Sequence, residues 1–229
     1  CQGMEVDEWI DKQQENVLDV PYFHTVFTVP EKLYSLIYSN QKLLYDALYH
    51  AAHQTMEELS ADPKHLGARI GYICVLHTWG SRMNYHPHLH TIVLGGGLDA
   101  ANKWKDKGKK FFFPVKVMSA VFKKYYLREL KQFWEDKKLE YHGTAAHLKN
   151  HYEFKALLNS LYDKNWVVYT KEAFNGADSV IHYLGRYTHR IAISNRRIVS
   201  MKDETVTYLV KDYKNGGKYI EQTLSLIHI

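Results

Sequence analysis

The segment His86-Pro87-His88-Leu89-His90-Thr91-Ile92-Val93-Leu94 decides how the rest of the chain is read. Histidines alternate with apolar residues and β-branched residues close the run, so a strand is expected. Side chains along a strand point alternately to its two faces. His86, His88, His90, Ile92 and Leu94 therefore share one face, and Pro87, Leu89, Thr91 and Val93 the other. Same-face neighbours stand about 6.5–7 Å apart, which lets two imidazoles converge on one divalent ion. Histidines that merely hydrogen-bond would give the same string, and a chain with 14 histidines makes that easier. Three histidines on one strand face nonetheless point to metal binding by this strand, through His86, His88 or His90. His77, near the end of the preceding expected strand, could add a ligand if the two strands pair, although a single strand histidine is more often a packed one.

Outward from this strand the pattern is mixed. Tyr22–Val29 reads as a strand between Pro21 and Pro30, Glu31–Leu59 as one long helix ended by Asp62-Pro63, and Ala68–Trp79 as a strand followed by a turn at Gly80–Asn84. The histidine strand is expected to stop at Gly95-Gly96-Gly97. Phe111–Val115 reads as a strand, Met118–Lys137 and His147–Leu161 as helices, and Trp166–Thr170 as a short strand. Glu5–Val17 and a segment capped by Asp178 and running to His189 read as helices. Val206–Val210 and Lys218–Thr223 flank Asn215-Gly216, a strong hairpin signal. Strands and helices alternate irregularly with hairpins among them, so the fold class expected is α+β with a mainly antiparallel sheet.

Composition bounds the function. The chain has 229 residues, 45% apolar and 24% charged, which suits one domain or one with a small appendage. No run of about 18 apolar residues offers a membrane span, and no basic-then-apolar leader suggests secretion. Two cysteines, Cys1 and Cys74, make no disulfide framework, which favours a reducing, cytoplasmic setting. A chain opening on Cys1 is expected to be a fragment. The net charge of +5 is a mild pointer to a polyanion, and its distribution says more. Four of the seven arginines, Arg186, Arg190, Arg196 and Arg197, fall in the stretch Ser179–Met201, which has no Asp or Glu. Arginine forks suit phosphate. Lys103–Lys116, with Lys109 and Lys110, carries six lysines against one aspartate, and a solvated hairpin loop explains it equally well.

Tyr183 and Tyr187 lie four apart, on one helix face. Such pairs arise by chance in a chain with 18 tyrosines. Tyr34/Tyr38 and Tyr45/Tyr49 are two more, running with Ile37 and Leu48 along an apolar stripe and expected at the core or its edge. Tyr183, Arg186, Tyr187 and Arg190 follow i, i+3, i+4, i+7, away from the stripe Ile181, Leu184 and Ile191. Two phenols and two guanidiniums are thus expected on a face that the core does not claim. Tyr–Arg stacking on an exposed face is one reading. A nucleophilic tyrosine beside phosphate-binding arginines is the other.

Four strings in order, VPYFHTVFTVP, LHTWG, HPHLHTIVLGGGLD and YLGRYTHRIAISNRRI, resemble the HUH endonucleases. They are closest to the two-tyrosine transposases of rolling-circle insertion sequences, the IS-ninety-one-like group. The resemblance spans most of the chain, to about Thr223. It implies an HUH endonuclease-like antiparallel sheet flanked by helices, and binding and cleavage of single-stranded DNA at element ends and target. His88 and His90 match the histidine pair, which would hold Mg or Mn with a third ligand, His77 as first choice and His86 as second, and Tyr183 and Tyr187 match the nucleophiles that form a 5′-phosphotyrosine. Arg186, Arg190, Arg196, Arg197, Lys109 and Lys110 would contact the DNA. Cys1, in Cys1-Gln2-Gly3, resembles the last ligand of an N-terminal zinc-binding module whose other ligands are missing, so zinc is expected only in that missing part. The implied division is a remnant over 1–20, the catalytic domain over 21–223 and an atypical tail over 224–229, in a cytoplasmic, nucleoid-associated bacterial protein. Rival readings are a replication initiator or relaxase of the same chemistry, a non-catalytic DNA-binding fragment, and a metal-dependent amidohydrolase, for which the chain is short and its alternation irregular.

Overall fold

The computed structural model describes residues 12, 17–106, 108, 113–174, 179–180, 183, 193–212 and 215–226. The chain divides into two compact units, Cys1–His77 with Pro87–Thr188, and Thr78–His86 with His189–Ile229. Described strands and helices give an α+β architecture with antiparallel sheets, as the mixed pattern predicts.

In the first unit, β1 (Tyr22–Thr28) forms where Tyr, Phe, Thr and Val crowd between two prolines. It is flanked by β3 (Tyr85–Leu98) and β5 (Val167–Phe174), both antiparallel to it. β2 (Arg69–Trp79) lies outside β3, giving the order β2-β3-β1-β5. The histidine strand does not stop at its glycines. It runs through Gly95-Gly96-Gly97 and pairs there with β4 (Trp104–Asp106). A Cβ on Gly96 would lie 2.5 Å from the Trp104 ring, and one on Gly97 2.3 Å from the Arg69 carbonyl oxygen. The glycines are there for close approach rather than for a break.

The expected helix Glu31–Leu59 is three pieces: a 3-10 turn over Glu31–Leu33, α1 (Tyr34–Ser39) and α2 (Gln41–Ala61). The break falls at Asn40, whose buried side chain leaves the helical pattern to hold a distant segment. Its Nδ2 donates to the Leu36 carbonyl (2.9 Å) and the Glu140 carbonyl (2.7 Å), and its Oδ1 accepts from the Glu140 amide (2.8 Å). Tyr38, expected near the core, is 67% exposed because α1 turns it outward.

Helices α3 (Val115–Glu135) and α4 (His151–Tyr162) follow. Val115 begins α3 rather than ending a strand. A 3-10 stretch, Gly143–Lys149, precedes α4, and the Asn150 side chain caps it through the Tyr152 and Glu153 amides. α2 and α3 pack together, and an aromatic core joins α3 to the sheet: Phe122 lies 5.0 Å from Phe27 and 5.4 Å from Trp166, and Tyr126 5.3 Å from Trp166. Ser119 donates to the Trp166 carbonyl at 2.6 Å.

In the second unit, β6 (Ile198–Lys202), β7 (Thr205–Asp212) and β8 (Lys218–Ser225) form an antiparallel meander. The Asn215-Gly216 hairpin is present as expected, with β6 added to it. Val206, Tyr208 and Val210 are its core, covered by Met83, Ile193, Ile198 and Leu224.

Candidate metal centre and its tyrosine

Alternation on two neighbouring strands builds the centre. β3 presents His88 and His90 on one face, and β2 brings His77 to them. The three imidazoles offer nitrogens that all lie within 4.8 Å of one another, and together they could hold a metal ion. His88 Nε2 and His90 Nε2 are 3.0 Å apart. That is about the separation of two ligands at right angles on bonds near 2.1 Å. The ring centroids of His77 stand 5.6 Å from His88 and 4.6 Å from His90. His77 and His88 are buried, at 4% and 8% exposure. Polar rings this buried need partners, and His88 has one in His90. His86, the second choice for a ligand, falls in the other compact unit and outside this trio.

A fourth histidine joins them that sequence reasoning did not single out. His24 sits on β1 opposite Ile92, so His90 is its diagonal neighbour on the same face. His24 Nε2 lies 2.9 Å from His90 Nδ1, with the two rings parallel to within 5°. Burial pushes its pKa down to about 4, with the Lys171 ammonium and His88 adding to the shift, so His24 is neutral at neutral pH. The signal was available: His24 lies inside the VPYFHTVFTVP string, but its importance depends on strand register.

Tyr183 meets this cluster. Its hydroxyl is hydrogen-bonded to His24 Nε2 at 2.7 Å and lies 3.4 Å from His90 Nδ1. Ser179, Val180 and Tyr183 are helical. Val180 is buried with Tyr22 and Ile92, and Tyr183 packs against that cluster. For Tyr183 the expectation of a face that the core does not claim is therefore corrected: Tyr22, Ile92 and Val180 pack against the phenol while its oxygen reaches the histidines. Tyr187, Arg186, Arg190, Lys109 and Lys110 lie outside the described residues. Arg196 is exposed. Arg197 has a structural use within the second unit: its Nε donates to the Leu209 carbonyl and its guanidinium to the Ser81 carbonyl, both at 2.7 Å.

Residues 71–226 match the family model described as "Putative transposase". The chain belongs to this family. The matched span takes in His77, His88, His90 and Tyr183. Residues 1–29 match a second model, "Transposase zinc-binding domain". That span has one thiol, Cys1, and one imidazole, His24, which is engaged with His90 and Tyr183. Two such donors do not make a four-ligand zinc site. The chain is 38% identical over 226 residues to "Putative transposase y4qJ" of Sinorhizobium fredii, covering 98% of this chain and 57% of that protein. It is 29% identical over 227 residues to the transposase for insertion sequence element IS801 of Pseudomonas savastanoi pv. phaseolicola, covering 98% and 53%. The chain thus spans about half the length of the curated relatives it matches. Solved structures with some similarity include TrwC complexed with a 27-mer DNA (18% identity, TM-score 0.38, 59% of this chain and 54% of that one). Another is the metal-bound conjugative relaxase TrwC with oriT DNA (11% identity, TM-score 0.37, 74% and 71%). No helix among the described residues is long and apolar enough to cross a membrane.

Proposed function

We propose that this chain carries the catalytic part of a metal-dependent single-stranded DNA nuclease and strand transferase, working in rolling-circle-type transposition through a 5′-phosphotyrosine. One observation carries the reading: the Tyr183 hydroxyl, 93 residues along the chain from His90, lies 3.4 Å from its Nδ1, beside three imidazoles grouped for one ion. Membership in a transposase family supports it. The domain reading keeps 21–223 as the catalytic part, and a cytoplasmic, nucleoid-associated setting follows from a DNA substrate.

His77, His88 and His90 would hold the ion, and a divalent cation there supplies charge stabilisation to a phosphate oxygen. A donor set of imidazoles alone admits manganese and zinc more readily than magnesium. Tyr183 Oη attacks the phosphorus. A bond from phosphorus to Oη forms and the bond to the 3′-oxygen breaks. The phenol loses its proton and the leaving oxygen gains one, ending as a free 3′-hydroxyl. The count of phosphoester bonds is unchanged, so a later hydroxyl can reverse the step and rejoin strands. Tyr187 supplies a second nucleophile for a second DNA end. Arg186, Arg190, Arg196, Lys109 and Lys110 bind the backbone, where guanidinium forks fit phosphate oxygens. Arg197, already committed to backbone carbonyls, is left out of that set.

The test is incubation with manganese and a pool of 3′-labelled single-stranded oligonucleotides, followed by denaturing electrophoresis and mass spectrometry of the modified peptide. The wild type is expected to form an adduct on Tyr183 or Tyr187. The variant carrying both Tyr183→Phe and Tyr187→Phe is expected to bind DNA and form none. An adduct persisting in that variant overturns the proposal; binding without any adduct in the wild type favours a non-catalytic DNA-binding protein.

A further inference from the structure

We propose that His24 is a positioning residue of this site, aiming the Tyr183 phenol and fixing the His90 ring through a single nitrogen. The inference rests on reading Tyr183 as the nucleophile and the three histidines as ligands.

Three atoms make the case. His24 Nε2 lies 2.7 Å from Tyr183 Oη and 2.9 Å from His90 Nδ1, and Oη lies 3.4 Å from that same Nδ1. The far nitrogen of His90, Nε2, faces His88 at 3.0 Å. His90 thus turns one nitrogen to the candidate ion site and the other to His24. A ligand histidine needs its metal-facing nitrogen unprotonated, and the partner of its other nitrogen sets the tautomer. In the tautomer with the proton on His90 Nδ1, that N–H and the Tyr183 hydroxyl share the one lone pair of His24 Nε2 in a three-centre contact, leaving the His90 Nε2 lone pair for a cation. The shared acceptor fixes where the phenol oxygen stands relative to His90. Backbone register holds this acceptor in place. His24 is on β1, between β3 and β5, paired with Ile92 on one side and Lys171 on the other. The residue is 8% exposed, so water does not readily take its place.

A residue that only fills space would be replaced without loss by leucine. An acceptor at this point would be replaced by glutamine, whose Oε1 stands as many bonds from Cα as Nε2 does. Two quantities are measured on the full chain: manganese affinity without DNA, from the electron paramagnetic resonance signal of free Mn(II), and the single-turnover rate of adduct formation at saturating manganese, alongside the oligonucleotide Kd. His24→Leu is expected to weaken manganese binding by about 10-fold or more and to slow adduct formation by a similar factor, with the oligonucleotide Kd unchanged. His24→Gln is expected to recover most of both. Unchanged values in His24→Leu, or a His24→Gln as impaired as His24→Leu, overturn the proposal. If His24→Leu does not fold, His24→Asn, whose amide ends one bond short, takes its place in the comparison with His24→Gln. If the wild type forms no adduct, the nuclease reading fails. The manganese arm still judges His24: loss in the leucine variant with recovery in the glutamine variant supports its hold on His90, and no difference rejects it.

Discussion

Replacing His88 by alanine separates the ion's contribution to stability from that of packing. His88 is buried and its Nε2 faces the Nε2 of His90 at 3.0 Å, beside His77. Without metal, the variant loses that contact and leaves a small void, a cost of about 1–3 kcal/mol. With metal, the wild type gains RT ln(1 + [L]/Kd), or about 2.7 kcal/mol at a hundredfold excess over Kd. For a chain of this size each kcal/mol moves Tm by about 2–4 °C, so manganese is expected to raise the wild-type Tm by about 5–10 °C. His88→Ala is expected to show little or none of that rise. The assay is thermal unfolding of each protein with excess manganese and with EDTA, each variant compared with its own EDTA curve so that the packing cost cancels. An equal manganese-dependent rise in wild type and His88→Ala would refute the assignment of His88 to the ion site. A smaller, equal effect of calcium on both would only report weak surface binding.

Other substitutions test the frame around the site. Asn40→Ala removes three hydrogen bonds and strands the Glu140 amide and carbonyl, so a loss of about 2–4 kcal/mol is expected in urea unfolding; a change below about 0.5 kcal/mol would show that Asn40 does not hold that segment. Gly97→Ala places a Cβ 2.3 Å from the Arg69 carbonyl oxygen, and a cost of about 1–3 kcal/mol, read as a lower midpoint in the same experiment, is expected. The Glu58 carboxyl is held below its usual range, first by Lys124 and then by Tyr125. Its stabilisation is therefore present above the unfolded value near 4.5 and lost as pH falls through the lower folded one. Because the pair is solvent-exposed, Glu58→Gln is expected to cost under about 1 kcal/mol at pH 7 and less still at pH 3; a gap that widens toward pH 3 would contradict the sign. Tyr183→Phe alone is expected to lower adduct yield without weakening DNA binding, measured by gel shift beside the adduct assay.

Much of the site is legible in the sequence because strand alternation is short-range information. His88 and His90 declare a common face within five residues, and His77 follows once the turn at Gly80–Asn84 makes β2 and β3 neighbours. His24 is not legible in this way. A lone histidine in an apolar strand looks like packing until the register puts Ile92 beside it and His90 on the diagonal, and register depends on pairings between segments far apart in the chain. The glycine run misleads for a related reason. Glycine reads as a stop when only local propensity is weighed, whereas Gly96 and Gly97 make room for Trp104 and Arg69, which come from elsewhere. The Asn40 break is hidden likewise, since its partner is Glu140. Tyr183 is misread as lying off the core because helix geometry alone cannot say that Tyr22 and Ile92, from strands far away in sequence, will pack against it.

All three candidate ligands sit on a single hairpin, Arg69–Leu98, whereas His24 comes from a strand made earlier and Tyr183 from a helix made much later. Hairpins close in microseconds, and contacts between distant segments form last. During synthesis the three candidate ligands are thus made well before the segment that carries Tyr183. Under the function proposed above, a polypeptide lacking that later segment would keep the imidazole trio without its partner phenol.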